Sequence, residues 1–209
     1  MTENNTEVFD AWSQRYDSCV ARASGYYERY DDVLDAVAET VCQAPGSSVL
    51  DIGTGTGNLA LRCLARRARV VGVDPSVGML SQARLKMPEG ACVELLRVEE
   101  PFLSLPFGDA TFDAVASTYA FHHVPRDSHA TSITEAFRVL KPGGRWAIGD
   151  IVFADEEAQA VALRQHNWLE EEFFAHVDQI RTTLAGYSVK LQVTQFTDVT
   201  WVLWADKPA

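Results

Sequence analysis

Asp51 stands two residues ahead of Gly53, the first of three glycines (Gly53, Gly55 and Gly57) at every second position. An apolar, β-branched run precedes them and a helix-forming run follows. Glycines in such a turn reach backbone angles that other residues avoid, and they let a ligand approach the main chain. A carboxylate so close to them suits a ligand that carries an ammonium group. The spacing D-x-G-x-G-x-G differs from the G-x-G-x-x-G that seats a dinucleotide on a helix N-terminus. After one intervening helix, Val70-Val71-Gly72-Val73 runs into a second acid, Asp74. At a strand tip such a carboxylate can accept hydrogen bonds from both hydroxyls of a ribose. Farther along, His122 and His123 follow another apolar run, and Asp150 closes the next one. A histidine there can titrate near neutrality and move a proton. Adjacent residues rarely face one pocket, so one of the pair is expected to pack structurally. His123 is the expected base, with His122 behind it and Asp150 orienting either the base or the acceptor.

These residues need a scaffold that brings strand ends together, and the chain reads as one. From Ser48 onward it alternates strand and helix, as a doubly wound α/β sheet requires. The expected strands are Ser48–Ile52, Val70–Val73, Cys92–Val98, Phe112–Ser117 and Arg145–Gly149. Helices are expected over Asn58–Arg67, Val77–Met87 and Ser128–Leu140, and Lys141-Pro142-Gly143-Gly144 reads as a sharp turn. Ahead of the sheet, Val8–Tyr30 and Asp32–Gln43 read as helices. In the first, Phe9, Trp12 and Tyr16 share one face at spacings of three and four. Asp155–Leu184 reads as helical, and Tyr187–Val193 with Val199–Trp204 as a closing pair of strands.

Several stretches together resemble the class I S-adenosylmethionine-dependent methyltransferases. They are Phe9-Asp10-Ala11-Trp12-Ser13-Gln14-Arg15-Tyr16-Asp17, the Asp51–Leu59 turn, Asp74, Ser117–His123 and the Leu140–Gly144 turn. The nearest group is similar to the YrrT-like small bacterial methyltransferases. The resemblance implies a Rossmann-like α/β fold with a seven-stranded, mostly parallel sheet whose last strand is antiparallel. It implies one domain over residues 1–209, with an N-terminal helical lid at 1–43 and a core at 44–209. The cofactor it implies is S-adenosyl-L-methionine, held by Tyr16, Asp51, Gly53, Thr54, Gly55, Gly57, Asp74, Pro75, Met79, Glu100, Phe102 and Ser117. Tyr16 would lie over the methionine end, or else pack the helix onto the sheet edge. Relatives carry an acid before the Phe102-Leu103-Ser104-Leu105-Pro106-Phe107 run that binds the adenine amino group. Here Pro101 takes that position and Glu100 comes one residue early, so either Glu100 reaches the adenine or the contact is missing. The C-terminal helical segment, which lines the acceptor pocket in relatives, is about a turn shorter.

Composition narrows the substrate. A formal net charge of −11 over 209 residues repels phosphate backbones, so no nucleic-acid partner is expected. No apolar run is long enough to cross a membrane. The polar, acidic first residues are the opposite of a secretory signal, and four scattered cysteines fit free thiols, so a cytoplasmic protein is expected. No ligand spacing suggests a metal. The expected function is methyl transfer to a small-molecule acceptor by a monomer or homodimer. A non-catalytic binder of S-adenosylmethionine or S-adenosylhomocysteine would keep the same cofactor residues. An NAD-dependent oxidoreductase fits neither the glycine spacing nor Asp51.

Overall fold

A computed structural model describes residues 3–170 and 172–209. The first two residues of the expected lid lie outside the described residues, as does Glu171 within the expected helix Asp155–Leu184. In chain order the elements are α1 (Glu3–Val20), α2 (Tyr30–Val41), β1 (Ser48–Ile52), α3 (Asn58–Ala65), β2 (Arg69–Asp74), α4 (Val77–Lys86), β3 (Val93–Arg97) and β4 (Phe112–Thr118). Then come α5 (His129–Val139), β5 (Leu140–Phe153), α6 (Glu156–Gln165), β6 (Ala175–His176), α7 (Val177–Ala185), β7 (Gln192–Gln195) and β8 (Thr200–Asp206).

The sheet runs β3-β2-β1-β4-β5-β8-β7, with the two-residue β6 beside β5. It thus carries one short strand beyond the seven expected. Strands β1 to β5 pair in parallel, while β8 is antiparallel to both β5 and β7. Order reverses at β1, which has β2 on one side and β4 on the other, and such a switch point opens a crevice at the strands' carboxyl ends. Near-continuous apolar strands such as Val49-Leu50 and Ala114-Val115-Ala116 suit a sheet covered on both faces. Val33, Leu34 and Val37 of α2 pack into the core of one face with Leu59 and Cys63 of α3. Ile133 and Phe137 of α5 and Ile180 of α7 pack into the other.

Four expectations need correction. The first helix ends at Val20 rather than Tyr30, because Ala23 and Gly25 turn left-handed and a 3-10 turn follows at Gly25–Tyr27. Strand β5 starts at Leu140 and takes in the expected Lys141–Gly144 turn. Four of its residues, Lys141–Gly144, oppose the single residue Asp113 of β4 between the pairs Phe112↔Leu140 and Ala114↔Arg145. The bulge persists because its backbone is paired: Gly143 N donates to Lys207 O (3.0 Å) and Lys207 N to Gly144 O (2.8 Å). The helix expected over Asp155–Leu184 is split, since Val152 and Phe153 pair with Ala175 and His176 and draw the chain back to the sheet. Finally, β7 begins at Gln192, not Tyr187, because Tyr187 still closes α7 through Leu184 O. No helix of the described residues is long and apolar enough to cross a membrane.

Candidate active site

The crevice at the switch point is floored by the glycine turn. Gly53 N and Thr54 N both donate to Val73 O, at 2.9 and 3.0 Å, which ties the turn across the tip of β2. Gly53, Gly55 and Gly57 all have positive φ (70°, 53° and 81°), a region where side chains strain the backbone. At Gly53 a Cβ would also come within 2.5 Å of Ala120 Cβ, so the turn presses directly on the segment after β4.

Two buried carboxyls sit under this turn. Asp74 Oδ2 accepts from Gly55 N (2.9 Å) and Oδ1 from Ser76 N (2.9 Å). Burial outweighs both bonds and pushes its pKa up to about 6. Asp51 Oδ2 accepts from the Thr54 hydroxyl at 2.7 Å, while its Oδ1 is buried without a partner. Burial raises the Asp51 pKa to about 7. Each is a group poised for a ligand that favours its ionised form.

Of the residues expected from sequence, Tyr16, Gly53, Thr54, Gly55, Asp74, Pro75, Met79 and His123 line one cavity. Asp51 lies behind it. Gly57 caps the start of α3, Glu100 is exposed at the surface, and Phe102 packs its ring against Phe121 and the glycine turn. Ser117 is buried on β4, one residue before Thr118, which lines the cavity; side chains alternate along a strand, so Ser117 points to the opposite face. Tyr119 lines the cavity too; Phe9, Tyr30, Thr56, Asn58, Leu59, Thr118 and Ala120 also line it and were not singled out as cofactor residues. Thr56, Asn58 and Leu59 belong to the glycine motif itself, and Phe9 shares its helix face with Tyr16. Tyr30 carried no signal of a ligand: it was read as the end of the first helix, whereas it opens α2.

Helix α1 closes the cavity with Phe9 and Tyr16, and two acids fasten it down. Asp10 Oδ1 accepts from Ser76 Oγ (2.6 Å) and Gly78 N (2.8 Å) at the start of α4. Any Cβ on Gly78 would meet Asp10 and Ser13 within 3.0 Å, so the two helices touch backbone to backbone. Asp17 accepts from Thr56 Oγ1 (2.7 Å), Asn58 Nδ2 (3.1 Å) and Lys86 Nζ (2.7 Å). Trp12 does not line the cavity; it packs edge-on against Tyr16 at 5.1 Å. Burial and the neighbouring Tyr30 hold the Tyr16 hydroxyl well above its ordinary pKa, so it stays protonated.

At the other end lies the segment after β4. Tyr119 takes φ = 49°, strained for a bulky side chain. Asp150 holds that conformation: its Oδ2 accepts from Ala120 N (3.1 Å) and Phe121 N (2.8 Å). Its Oδ1 takes Ile151 N (2.7 Å) and His122 Nδ1 (2.5 Å). The expectation that Asp150 orients a base at His123 therefore changes, because the carboxylate is committed to His122. Burial disfavours charge on both partners, but their mutual attraction prevails: His122 is raised and Asp150 lowered. His123 faces the cavity, its ring 4.0 Å from that of His122 and 5.0 Å from Phe9. Burial and then the His122 charge lower its pKa, so it is a neutral imidazole at about pH 7. Such a group can take a proton from a bound molecule.

Comparison with known proteins agrees with this geometry. Residues 49–144 match a family model described as a methyltransferase domain. A protein of Geobacillus thermodenitrificans (strain NG80-2), named an uncharacterized methyltransferase, is 32% identical over 96% of each chain. Among solved structures, the [4+2]-cyclase SpnF shares the fold with a TM-score of 0.76 and 18% identity, covering 97% of this chain and 94% of its own. Phosphoethanolamine N-methyltransferase 2 of Haemonchus contortus, solved with S-adenosyl-L-methionine, has a TM-score of 0.66 and 20% identity, covering 86% of this chain and 53% of its own. Likeness at that identity speaks for the fold alone.

Proposed function

The chain belongs to the class I S-adenosylmethionine-dependent methyltransferases, and we propose that it methylates a small molecule in the cavity beneath α1. The observation that carries this reading is the Asp51 carboxyl, buried behind the glycine turn with Oδ1 unpartnered. An ammonium group, reached directly or through water, would complete it. Asp74 would take the ribose hydroxyls, since each of its oxygens keeps a free lone pair beside its backbone bond. Gly53, Thr54 and Gly55 would give the ligand close access to the main chain, with Pro75 and Met79 as apolar walls. Tyr16 and Tyr119 would face the sulfonium, which aromatic rings attract without hydrogen-bonding it.

When bound, S-adenosylmethionine supplies an electrophilic methyl group together with its own leaving group. The protein then has to exclude water and aim the acceptor. Phe9, Tyr16, Tyr119 and His123 all line the cavity; Phe9 and Tyr16 would cover the cofactor, and Tyr119 and His123 would bound the acceptor end. Orientation of that kind can lower a barrier by about 7–11 kcal/mol. Neutral His123 would remove a proton wherever the acceptor must lose one. The negative protein and the aromatic-walled cavity, with no Lys or Arg among the described residues lining it, favour a metabolite over a nucleic acid.

Calorimetric titration with S-adenosylmethionine and NAD, followed by labelled-methyl transfer to a metabolite panel, tests the reading. Tighter binding of NAD would overturn it. Saturation by S-adenosylmethionine with no methylated product from any metabolite would leave a binding protein instead of an enzyme.

A further inference from the structure

Behind the imidazole of His123, two carboxylates converge with one cationic partner between them. Asp150 is taken up by His122 and three backbone N–H groups. Glu172 Oε2 lies 3.7 Å from His123 Nδ1, too far for a direct hydrogen bond, and its side chain is 35% exposed. Its segment is docked there by Phe173 N, which donates to His122 O at 3.1 Å. With His122 and Asp150 neutralising each other and His123 neutral, Glu172 is left as a negative charge without a settled partner. The cavity walls do not offset it. Among the described residues lining it there is no Lys or Arg; Phe9, Tyr16, Tyr30 and Tyr119 supply aromatic surface.

We propose that the methyl acceptor is an amine, taken in as its ammonium ion against these aromatic faces, with Glu172 behind His123 as the nearest unpaired negative charge. The inference rests on the methyl-transfer reading above. Aromatic faces attract cations, and an uncompensated carboxylate just behind one wall of the cavity draws them in. An anionic acceptor would meet Glu172 with no cation to hold it.

The chemistry closes on the same residues. Neutral His123 removes one proton from the ammonium ion through Nε2, the nitrogen turned away from Glu172. The freed lone pair forms the N–C bond while the C–S bond breaks, its electron pair staying on sulfur. The product leaves as a methylammonium ion. The proton on His123 makes an imidazolium, which Glu172 stabilises from the Nδ1 side until it passes to water. Glu172 is thus a positioning residue for the base and a specificity residue for the acceptor.

Four probes of similar size test this: phenethylamine, phenethyl alcohol, phenethyl mercaptan and hydrocinnamate. Each is titrated into the complex with S-adenosylhomocysteine and then offered with labelled S-adenosylmethionine. The amine is expected to bind best and to receive the label. Glu172→Gln should weaken amine binding roughly three- to tenfold, leaving S-adenosylhomocysteine affinity unchanged. It should also move the acidic limb of the pH profile to lower pH, since of the groups facing His123 (His122, Asp150 and Glu172) it removes one stabilising negative charge. No binding of the amine, preference for the thiol, alcohol or carboxylate, or equal amine affinity in Glu172→Gln would overturn the proposal. Failure to bind S-adenosylmethionine at all would instead strike the methyl-transfer reading. A labelled thiol or alcohol would sink the amine alone.

Discussion

Asp150 pairs with His122 and not with His123, Oδ1 to Nδ1 at 2.5 Å, inside the protein. The pair shapes the segment that carries Tyr119 and His123, so its first role is stability. Asp150→Ala leaves a buried imidazole and two loop N–H groups unpaired, and should cost about 3–5 kcal/mol in urea denaturation. The pH sign follows from the two shifts. Asp150 is lowered, so its contribution fades as pH falls through that lowered value. His122 is raised, so its contribution fades as pH rises past its raised value. The stability gap between wild type and His122→Asn should be widest between those limits. A gap that stays flat from about pH 4 to 9 would contradict the pairing.

Asp51 and Asp74 should make cofactor binding release protons. Both are raised by burial, to about 7 and about 6. Without ligand the folded state holds protons the unfolded chain has given up, so these groups reduce stability as pH rises towards 7. A bound ammonium group favours the ionised carboxylates, so affinity should increase over the same interval. Calorimetry at about pH 6.5, in two buffers of different ionisation enthalpy, reads the proton count directly. Identical heats in both buffers would remove these acids from the binding equilibrium.

The clamps on α1 should set how fast the cofactor leaves. Asp17→Ala breaks the link from the helix to Thr56, Asn58 and Lys86. Half-exposed as it is, the acid is screened, and about a three- to tenfold faster dissociation of S-adenosylhomocysteine is expected. Hydrogen exchange should show Phe9–Tyr16 loosened in the variant and protected by ligand in wild type. Equal, high protection in every state would make α1 fixed core packing.

His123 is the residue whose loss should cost rate without costing affinity. His123→Asn is expected to lower turnover by about 10²–10⁴-fold, with S-adenosylhomocysteine binding within a few-fold of wild type. Because burial and His122 lower its pKa, wild-type activity should rise with pH through a value below about 6.5. A near wild-type rate in the variant, with the same profile, would leave the proton to solvent.

Residues at the glycine turn and at Asp74 were legible because their chemistry is local. A positive φ demands glycine, and a strand-tip acid is marked by the apolar run before it. Tyr30 and Glu172 were not legible, since each reaches the site from an element packed there by distant contacts. The identity of Asp150's partner was hidden for a similar reason. Two adjacent histidines look alike in sequence, and only the left-handed turn at Tyr119 decides which of them faces inward. Likewise Lys141–Gly144 carries every sign of a turn, yet pairing with Lys207 keeps it within β5.

Strand β8 lies inside the sheet, between β5 and β7, although it is made after both. On the ribosome, β5 therefore waits with one edge open while α6, β6, α7 and β7 are synthesised. That edge is long and apolar, the kind that pairs with strangers. Only when Thr200–Asp206 has emerged can the gap fill and Lys207 reach the bulge. Newly made chains stalled ahead of that point should be sticky and dependent on chaperones, whereas the same chain released whole closes its own sheet.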